Sequence, residues 1–453
     1  MANDIAPYSG PSIPGSPSRR GHWTGRFGFI LAAVGSAVGL GNIWKFPYIT
    51  GVYGGGAFVL VYLGCVVLVG LPLMISELMI GRRAQLNPVG AFQKLHYQGS
   101  PWQMTGWLGV ASGFVILSFY SVVGGWAIAY IFKSMVGFTG TAGEIQSQFG
   151  DLVGSTIASV GWHTIFMALT IGIVLGGIKN GIERWAKILM PALLFILIGL
   201  MVHGLFNTDG GSQAVAFLFN PDWSKLTADG ILSALGHAFF TLSLGMGAMI
   251  TYGSYMRRDA KIGRDAVTIS ILDTVIALLA GLAIFSLVFS YGLEAGAGPG
   301  LIFETLPVLF ADAGRLISVP FFFLLTFAAL SSSISLLEVV VSYFVDQRGW
   351  GRTKATWVQG FLMYLVGITC ATWGSVFDTF DYFSTNFMLP VGGLLTCLFV
   401  AWVVKNSVRI EEFGSSGLLY KALIFVLRYV TPIAVLITLL HGLELLPFMS
   451  YEE

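Results

Sequence analysis

Apolar runs long enough to cross a bilayer follow one another from residue 25 to residue 446, separated by short polar segments. A span needs roughly 20 such residues. The pattern predicts eleven of them, near 25–49, 55–84, 102–134, 161–179, 182–203, 230–256, 264–293, 316–347, 353–372, 379–404 and 417–446. The expected fold class is an all-α integral membrane protein.

Two runs are interrupted. GSAVGLGN, residues 35–42, places three glycines inside the first span, and TLSLGMG, residues 241–247, interrupts the sixth. In lipid, backbone outside a helix is tolerated only where it lines a cavity or lies buried in protein. The breaks fall in the first span of each five-span half, 1–5 and 6–10, which predicts a 5+5 inverted repeat with helices 1 and 6 broken. Half-helix ends free N–H groups for a carboxylate and carbonyls for a cation. Close helix packing is the competing account, because Gly35 and Gly39 have the GxxxG spacing. The matching break in span 6, and Asn42 beside the first, favour broken helices. A nucleotide-binding glycine loop is excluded, since no strand precedes it.

Composition narrows the class further. Of 453 residues, 55% are hydrophobic and 10% charged, against about 25% charged in a soluble domain. The net charge of +1 and the lack of a basic tract interleaved with aromatics exclude a nucleic-acid partner. Cys65, Cys370 and Cys397 lie far apart in apolar segments, with neither metal nor disulfide spacing. No nucleophile–base pair or metal cluster stands out, so an enzyme is not expected.

The charges orient the spans. The first 20 residues are polar and end in Arg19-Arg20, without the apolar core of a signal peptide, and read as a cytoplasmic tail. With that tail inside, about 19 of the 24 Lys and Arg fall on cytoplasmic segments, as the positive-inside rule requires. An odd number of spans leaves the C-terminus outside. The expected divisions are a tail over 1–24, a first repeat over 25–203, an extracellular loop over 204–229, a second repeat over 230–404, and helix 11 with an extracellular C-terminus over 405–453. Residues 294–315 read as a helical hairpin over the outer face.

GSAVGLGNIWKFPY, GGGAF (54–58), GLPLMISELMIGR (70–82), FFTLSLGMGAMITY (239–252) and ALSSSIS (329–335) occur in one order. With them the chain resembles the neurotransmitter:sodium symporters over essentially residues 20–446. The resemblance implies the leucine-transporter fold, a bilayer location and two coupled Na+ ions. The lack of a twelfth span fits bacterial members, so the expected location is a bacterial inner membrane. No obligate protein partner is implied.

The resemblance assigns residues to roles. One Na+ would take the carbonyls of Gly35, Val38 and Ala328 and the hydroxyls of Ser331 and Ser332. Serines in a buried helix also bond back to their own preceding turn; opposite a broken helix, the ligand reading is favoured. The other Na+ would take Ala37, Asn42, Thr241 and Asp273, with the substrate carboxylate. Asp273 departs from the leucine transporter, which has an amide there and a glutamate one turn later, where this chain has Ala277. A lone carboxylate inside a span is costly unless paired with a cation or protonated. Asp273 is expected to border the sodium and supply the charge that chloride supplies in other members, so no chloride is expected; a purely structural hydrogen-bonded role is the competing account.

Gly39 stands where monoamine carriers have an acidic residue, which leaves room for a substrate carboxylate held by the break at Gly39–Gly41 and by Tyr120. The amine would meet carbonyls at Ala37, Phe240 and Thr241 and the hydroxyl of Ser243. Val123, Phe239, Phe240, Met246, Ser332 and Leu336 would line the side-chain pocket, and Met246 adapts to different guests. The expected activity is sodium-coupled import of aliphatic and aromatic hydrophobic L-amino acids. A proton-coupled carrier of the same fold and a substrate sensor are the alternatives. Arg20 and Asp346, beside Trp23 and Tyr255, match the family's inner gate; Lys45 and Asp381 match its outer gate, with lysine where arginine is usual. Glu77 would support the broken helix, and His237 reads as a core histidine rather than a proton carrier. Gly181 and Pro191 mark expected local unwinding of helix 5.

Overall fold

The computed structural model describes residues 21–293, 299–443 and 445. Nine helices in it are long and apolar enough to cross a membrane: Gly56–Ala84, Gln103–Val136, Thr156–Leu175, Ile178–Asn207, Ile262–Ser290, Arg315–Gln347, Arg352–Thr372, Gly374–Val403 and Leu418–Gly442. A tenth span is the pair Arg26–Ala37 and Gly41–Val52, which meet at 53°. The remaining predicted span, 230–256, consists of Ala228–Thr241 and Ala248–Ser254 with non-helical chain at 242–247 between them.

The predicted spans agree in type and order with the helices, and their ends differ by several residues. Span 4 begins at Thr156 rather than 161, with Ser155, a residue type favoured at helix starts, in the N-cap position. The expected loop at 204–229 carries a helix of its own, Gly211–Phe219. The part of 294–315 within the described residues contains Thr305–Ala313. Phe303, just before it, stacks on Phe149 and meets Trp44 and Trp126 edge-on.

Apolar side chains all round a helix leave no solvent face, so each span must lie against lipid or against other spans. Gln103–Val136 and Arg315–Gln347 are enclosed almost along their length, while Leu418–Gly442 exposes most of its surface. The two broken spans lie beside that enclosed pair. The end of the bundle carrying Trp44 and Phe303 is called the upper end below, and the end carrying Trp23 the lower end.

Each break has a local cause. Val38 is extended (φ −72°, ψ 102°), which takes its carbonyl out of the helical ladder. In the other break Gly245 and Gly247 have φ of 81° and 74°, conformations natural to glycine. Ser243 adopts φ 53° without being glycine, a strain of roughly 1 kcal/mol, and its hydroxyl donates to the Ser36 carbonyl at 2.7 Å. Glu77 accepts the Gly245 N–H at 2.7 Å, tying this loose chain to the second span.

Candidate functional site

Two oxygen clusters flank the first break. In one, Asn42 Nδ2 donates to Asp273 Oδ1 at 2.8 Å and to the Asp273 carbonyl at 3.2 Å. The Thr241 hydroxyl reaches both carboxylate oxygens, at 3.2 and 3.1 Å. Gly39 N–H donates to Asn42 Oδ1 at 3.2 Å. Asn42, Thr241 and Asp273 are all buried. Among the described residues no Lys, Arg or His lies within ion-pair distance of Asp273. A buried carboxylate in that setting is accommodated either by a proton or by a cation.

In the second cluster the Ser331 hydroxyl donates to the Ala328 carbonyl at 3.0 Å and lies 3.4 Å from the Val38 carbonyl. The Ser332 hydroxyl is 3.1 Å from the Ser36 carbonyl and 3.5 Å from that of Val38. Distances of 3.4–3.5 Å are too long for good hydrogen bonds. The freed Val38 carbonyl therefore faces two hydroxyls without being satisfied by either. A hard cation takes such neutral oxygens. Gly35 belongs to the same place, since a Cβ there would lie 3.3 Å from Ser331 and 3.1 Å from Met190 Sδ.

At the meeting of the two breaks lies a small cavity of about 30 Å³. Ala37, Gly39, Leu40 and Gly41 line it from the first break, and Phe240, Ser243 and Met246 from the second. Ile116 and Tyr120, and Ser332 and Leu336 from the helix packed beside theirs, complete the lining. The Tyr120 hydroxyl accepts the Leu40 N–H at 3.2 Å. A Cβ on Gly39 would come within 2.6 Å of Ser332 Oγ and 2.9 Å of the Tyr120 hydroxyl, so only glycine leaves this corner open.

The sequence signature of the Sodium:neurotransmitter symporter family matches residues 20–141 and 147–453. The chain belongs to that family. Its fold matches the crystal structure of MhsT in complex with L-phenylalanine, with a TM-score of 0.86 and 44% identity over 93% of this chain and 100% of that one. An uncharacterized sodium-dependent transporter of Bacillus subtilis, YhdH, is 39% identical over 94% of this chain and 98% of its own length. Another, from Haemophilus influenzae, is 33% identical over the same shares of the two chains. The protein is a multi-pass membrane transporter coupled to sodium.

In this symporter a vestibule opens above the cavity, lined by Trp44, Lys45, Tyr48, Phe119, Asp378 and Asp381 among others. Phe240 and Tyr120 line both spaces and so form the floor between them. Lys45 and Asp381 share the vestibule but form no ion pair. Lys45 Nζ sits 5.3 Å from the centre of the Phe240 ring, and Asp381 accepts from the Thr385 hydroxyl at 3.3 Å.

Aromatic and ionic contacts tie the lower end together. Trp23 is buried edge-on against Tyr252 and Tyr255, and its indole N–H donates to the Tyr252 carbonyl at 3.0 Å. The Tyr255 hydroxyl donates to Glu338 at 2.6 Å, and Arg352 pairs with the same buried carboxylate. Asp346 accepts two bonds from Asn87, at 2.8 and 3.1 Å. Arg20 lies outside the described residues.

Some expected residues sit elsewhere. Val123 lines the vestibule rather than the cavity, and Ile116 takes its expected place. Both are on the Tyr120 face of one helix, Val123 one turn above and Ile116 one turn below. Phe239 does not line the cavity and lies against Gly393, because adjacent helical residues point about 100° apart. Gly181 sits in a wide helical turn, Ile178–Glu183, and Pro191 lies inside the continuous helix Arg184–Asn207, so helix 5 is not unwound here. His237 is packed between Phe46 and Tyr62 with neither ring nitrogen bonded. Sequence reasoning did not name Ile116, Ser36, Ser335, Glu338 or Arg352 as site residues. Helical spacing from Tyr120 pointed equally to Ile116 and Val123, and the Glu338–Arg352 pair had only the cost of an intramembrane glutamate as its signal.

Proposed function

We propose that this symporter imports hydrophobic L-amino acids, aliphatic and aromatic, with two Na+ ions per cycle and without chloride. The carrying observation is the cavity at Gly39. It joins broken-helix backbone and the Tyr120 hydroxyl at one corner to the apolar side chains Ile116, Met246 and Leu336. The substrate carboxylate would lie at the Gly39–Gly41 backbone and Tyr120, and the amine near the carbonyls of Ala37, Phe240 and Thr241 and the Ser243 hydroxyl. Phenylalanine in the MhsT structure supports an apolar substrate.

One Na+ would sit among Ala37, Asn42, Thr241 and Asp273, and the second among Gly35, Val38, Ala328, Ser331 and Ser332. Asp273 supplies a fixed negative charge, which removes the need for an anion. The upper end faces outside, so the vestibule receives substrate while Trp23, Tyr255 and Asp346 hold the cytoplasmic end shut. Closing Phe240, with Lys45 moving toward Asp381, would occlude the substrate. Unwinding between Gly181 and Pro191 would then let water reach the serine-lined ion. In a bacterial inner membrane, each charge gains about 2.3 kcal/mol per 100 mV and about 1.4 kcal/mol per tenfold gradient. Two ions give about 7 kcal/mol, enough for about a 10⁵-fold gradient of a neutral substrate.

Uptake of radiolabelled amino acids into proteoliposomes tests this reading. An inward sodium gradient at fixed pH should drive accumulation of leucine, phenylalanine and tryptophan against their gradients. Accumulation driven by a pH gradient alone would favour proton coupling, and binding without accumulation would favour a sensor.

A further inference from the structure

The lower wall of the cavity carries hydroxyls that an apolar guest would not use. Ser36 and Ser335 both line it. They lie at the end away from the vestibule. Gly41, five residues beyond Ser36 along the first span, lines the vestibule as well as the cavity, whereas Ser36 and Ser335 line only the cavity. A long side chain anchored by its carboxylate near Gly39 and Tyr120, as proposed above, would extend toward them.

Their protons are committed in one direction. The Ser36 hydroxyl donates to Ser335 Oγ at 2.8 Å, and the Ser335 hydroxyl donates to the Ser332 carbonyl at 2.8 Å. Ser36 Oγ heads this chain. Its one proton is used, and no described residue donates to its lone pairs. It can therefore accept but not donate. Passing its proton along a chain of hydroxyls makes that oxygen a stronger acceptor. Only 1% of Ser36 is exposed, so bulk water competes little for it.

We propose that Ser36, oriented by Ser335, makes the cavity select large side chains bearing a hydrogen-bond donor, indole N–H or phenol O–H, over isosteres without one. The inference rests on the amino-acid reading above and assigns to that substrate class a residue that ranks its members. An empty acceptor costs less than an unpaired buried N–H, so leucine and phenylalanine still bind. A buried donor of tryptophan or tyrosine gains a bond that it would otherwise lose on leaving water. Methionine, whose sulfur offers only an acceptor, gains nothing.

The test uses the full chain in detergent with saturating sodium, measuring displacement of radiolabelled leucine by two matched pairs. L-Tryptophan is compared with 3-benzothienyl-L-alanine, in which sulfur replaces the indole N–H, and L-tyrosine with L-phenylalanine. In the wild type the donor-bearing member of each pair should bind roughly three- to tenfold tighter, the worth of one ordinary hydrogen bond. In Ser36→Ala both ratios should fall to about one. In Ser335→Ala the Ser36 proton loses its acceptor and both ratios should shrink. Each ratio is read within one variant, so a general loss of affinity leaves it meaningful. Should Ser36→Ala fail to fold, the wild-type ratios and Ser335→Ala decide. Equal affinities within the pairs in the wild type, or ratios untouched by both substitutions, overturn the proposal while leaving the hydrophobic amino-acid reading intact. Failure of leucine and every analogue to bind overturns both.

Discussion

The two oxygen clusters share one stretch of backbone and differ in charge. Around Asn42 and Thr241 the decisive group is the Asp273 carboxylate, buried without a basic partner among the described residues. Around Val38 and Ala328 every oxygen is a carbonyl or hydroxyl. A stranded charge in low dielectric costs several kcal/mol, so the first cluster needs a cation or a proton to complete it. Neutral dipoles stand empty at a smaller penalty. On the two-ion reading proposed above, the charged cluster would keep its ion with the substrate and the neutral cluster would release its ion first. The neutral cluster also lies against Met190, beside the Pro191 segment whose unwinding would expose it. Gly39 connects the two clusters. Its N–H bonds Asn42 while its Cα faces Ser332 and Tyr120.

The strongest way to break this arrangement is Gly39→Asp. Its carboxylate would enter the corner proposed for the substrate carboxylate, and like charges brought together cost several kcal/mol. Sodium-dependent leucine or tryptophan binding should drop more than about 100-fold. Near-normal binding by a folded variant would remove the carboxylate from that corner.

Asp273→Asn comes next and addresses the charge difference directly. The substitution keeps size and one oxygen but deletes the countercharge, and losing one partner of a buried pair costs about 3–5 kcal/mol. Sodium-driven uptake should be strongly impaired, while wild-type uptake should be indifferent to replacing chloride with gluconate. A bound chloride could restore the missing charge and make the variant chloride-responsive, although Ala277 offers no hydroxyl to hold it. Chloride dependence in the wild type, or undiminished chloride-free uptake by the variant, would show the clusters to be alike.

The breaks were legible because glycines inside an apolar run leave few alternatives in lipid. Nine unbroken spans were legible for the same reason, since length and apolarity are the whole requirement. Asn42, Thr241 and Asp273 could be grouped only through the family's motifs, as nothing in their spacing brings residues 231 positions apart together. Helix rotation and depth were the weak points. They decide whether Ile116 or Val123 faces the cavity, and whether Phe239 or Phe240 does. Those depend on how neighbouring spans pack, which periodicity in a uniformly apolar helix does not record. The direction of protons along Ser36 and Ser335 is further still from the sequence, because it follows from distances between two spans.

The smallest expected effect comes from Ser331→Ala combined with Ser332→Ala, and it separates two accounts of the neutral cluster. The Ser331 hydroxyl bonds back to Ala328 in its own helix, as buried serines do without any ion nearby. If that were the whole role, alanine would cost little and leave the sodium requirement alone. The long distances to Val38 argue otherwise, because a carbonyl freed by a helix break should find a closer partner unless something else occupies it. Each hydroxyl contributes about 1 kcal/mol as a neutral ligand, so the double variant should raise half-saturating sodium roughly 10- to 30-fold. The shift should appear in sodium titrations of leucine uptake and be smaller than that of Asp273→Asn, which removes a full charge. A reversed order would mean that the neutral cluster, not the charged one, holds its ion more tightly. An unchanged sodium titration would place the second ion away from these serines altogether.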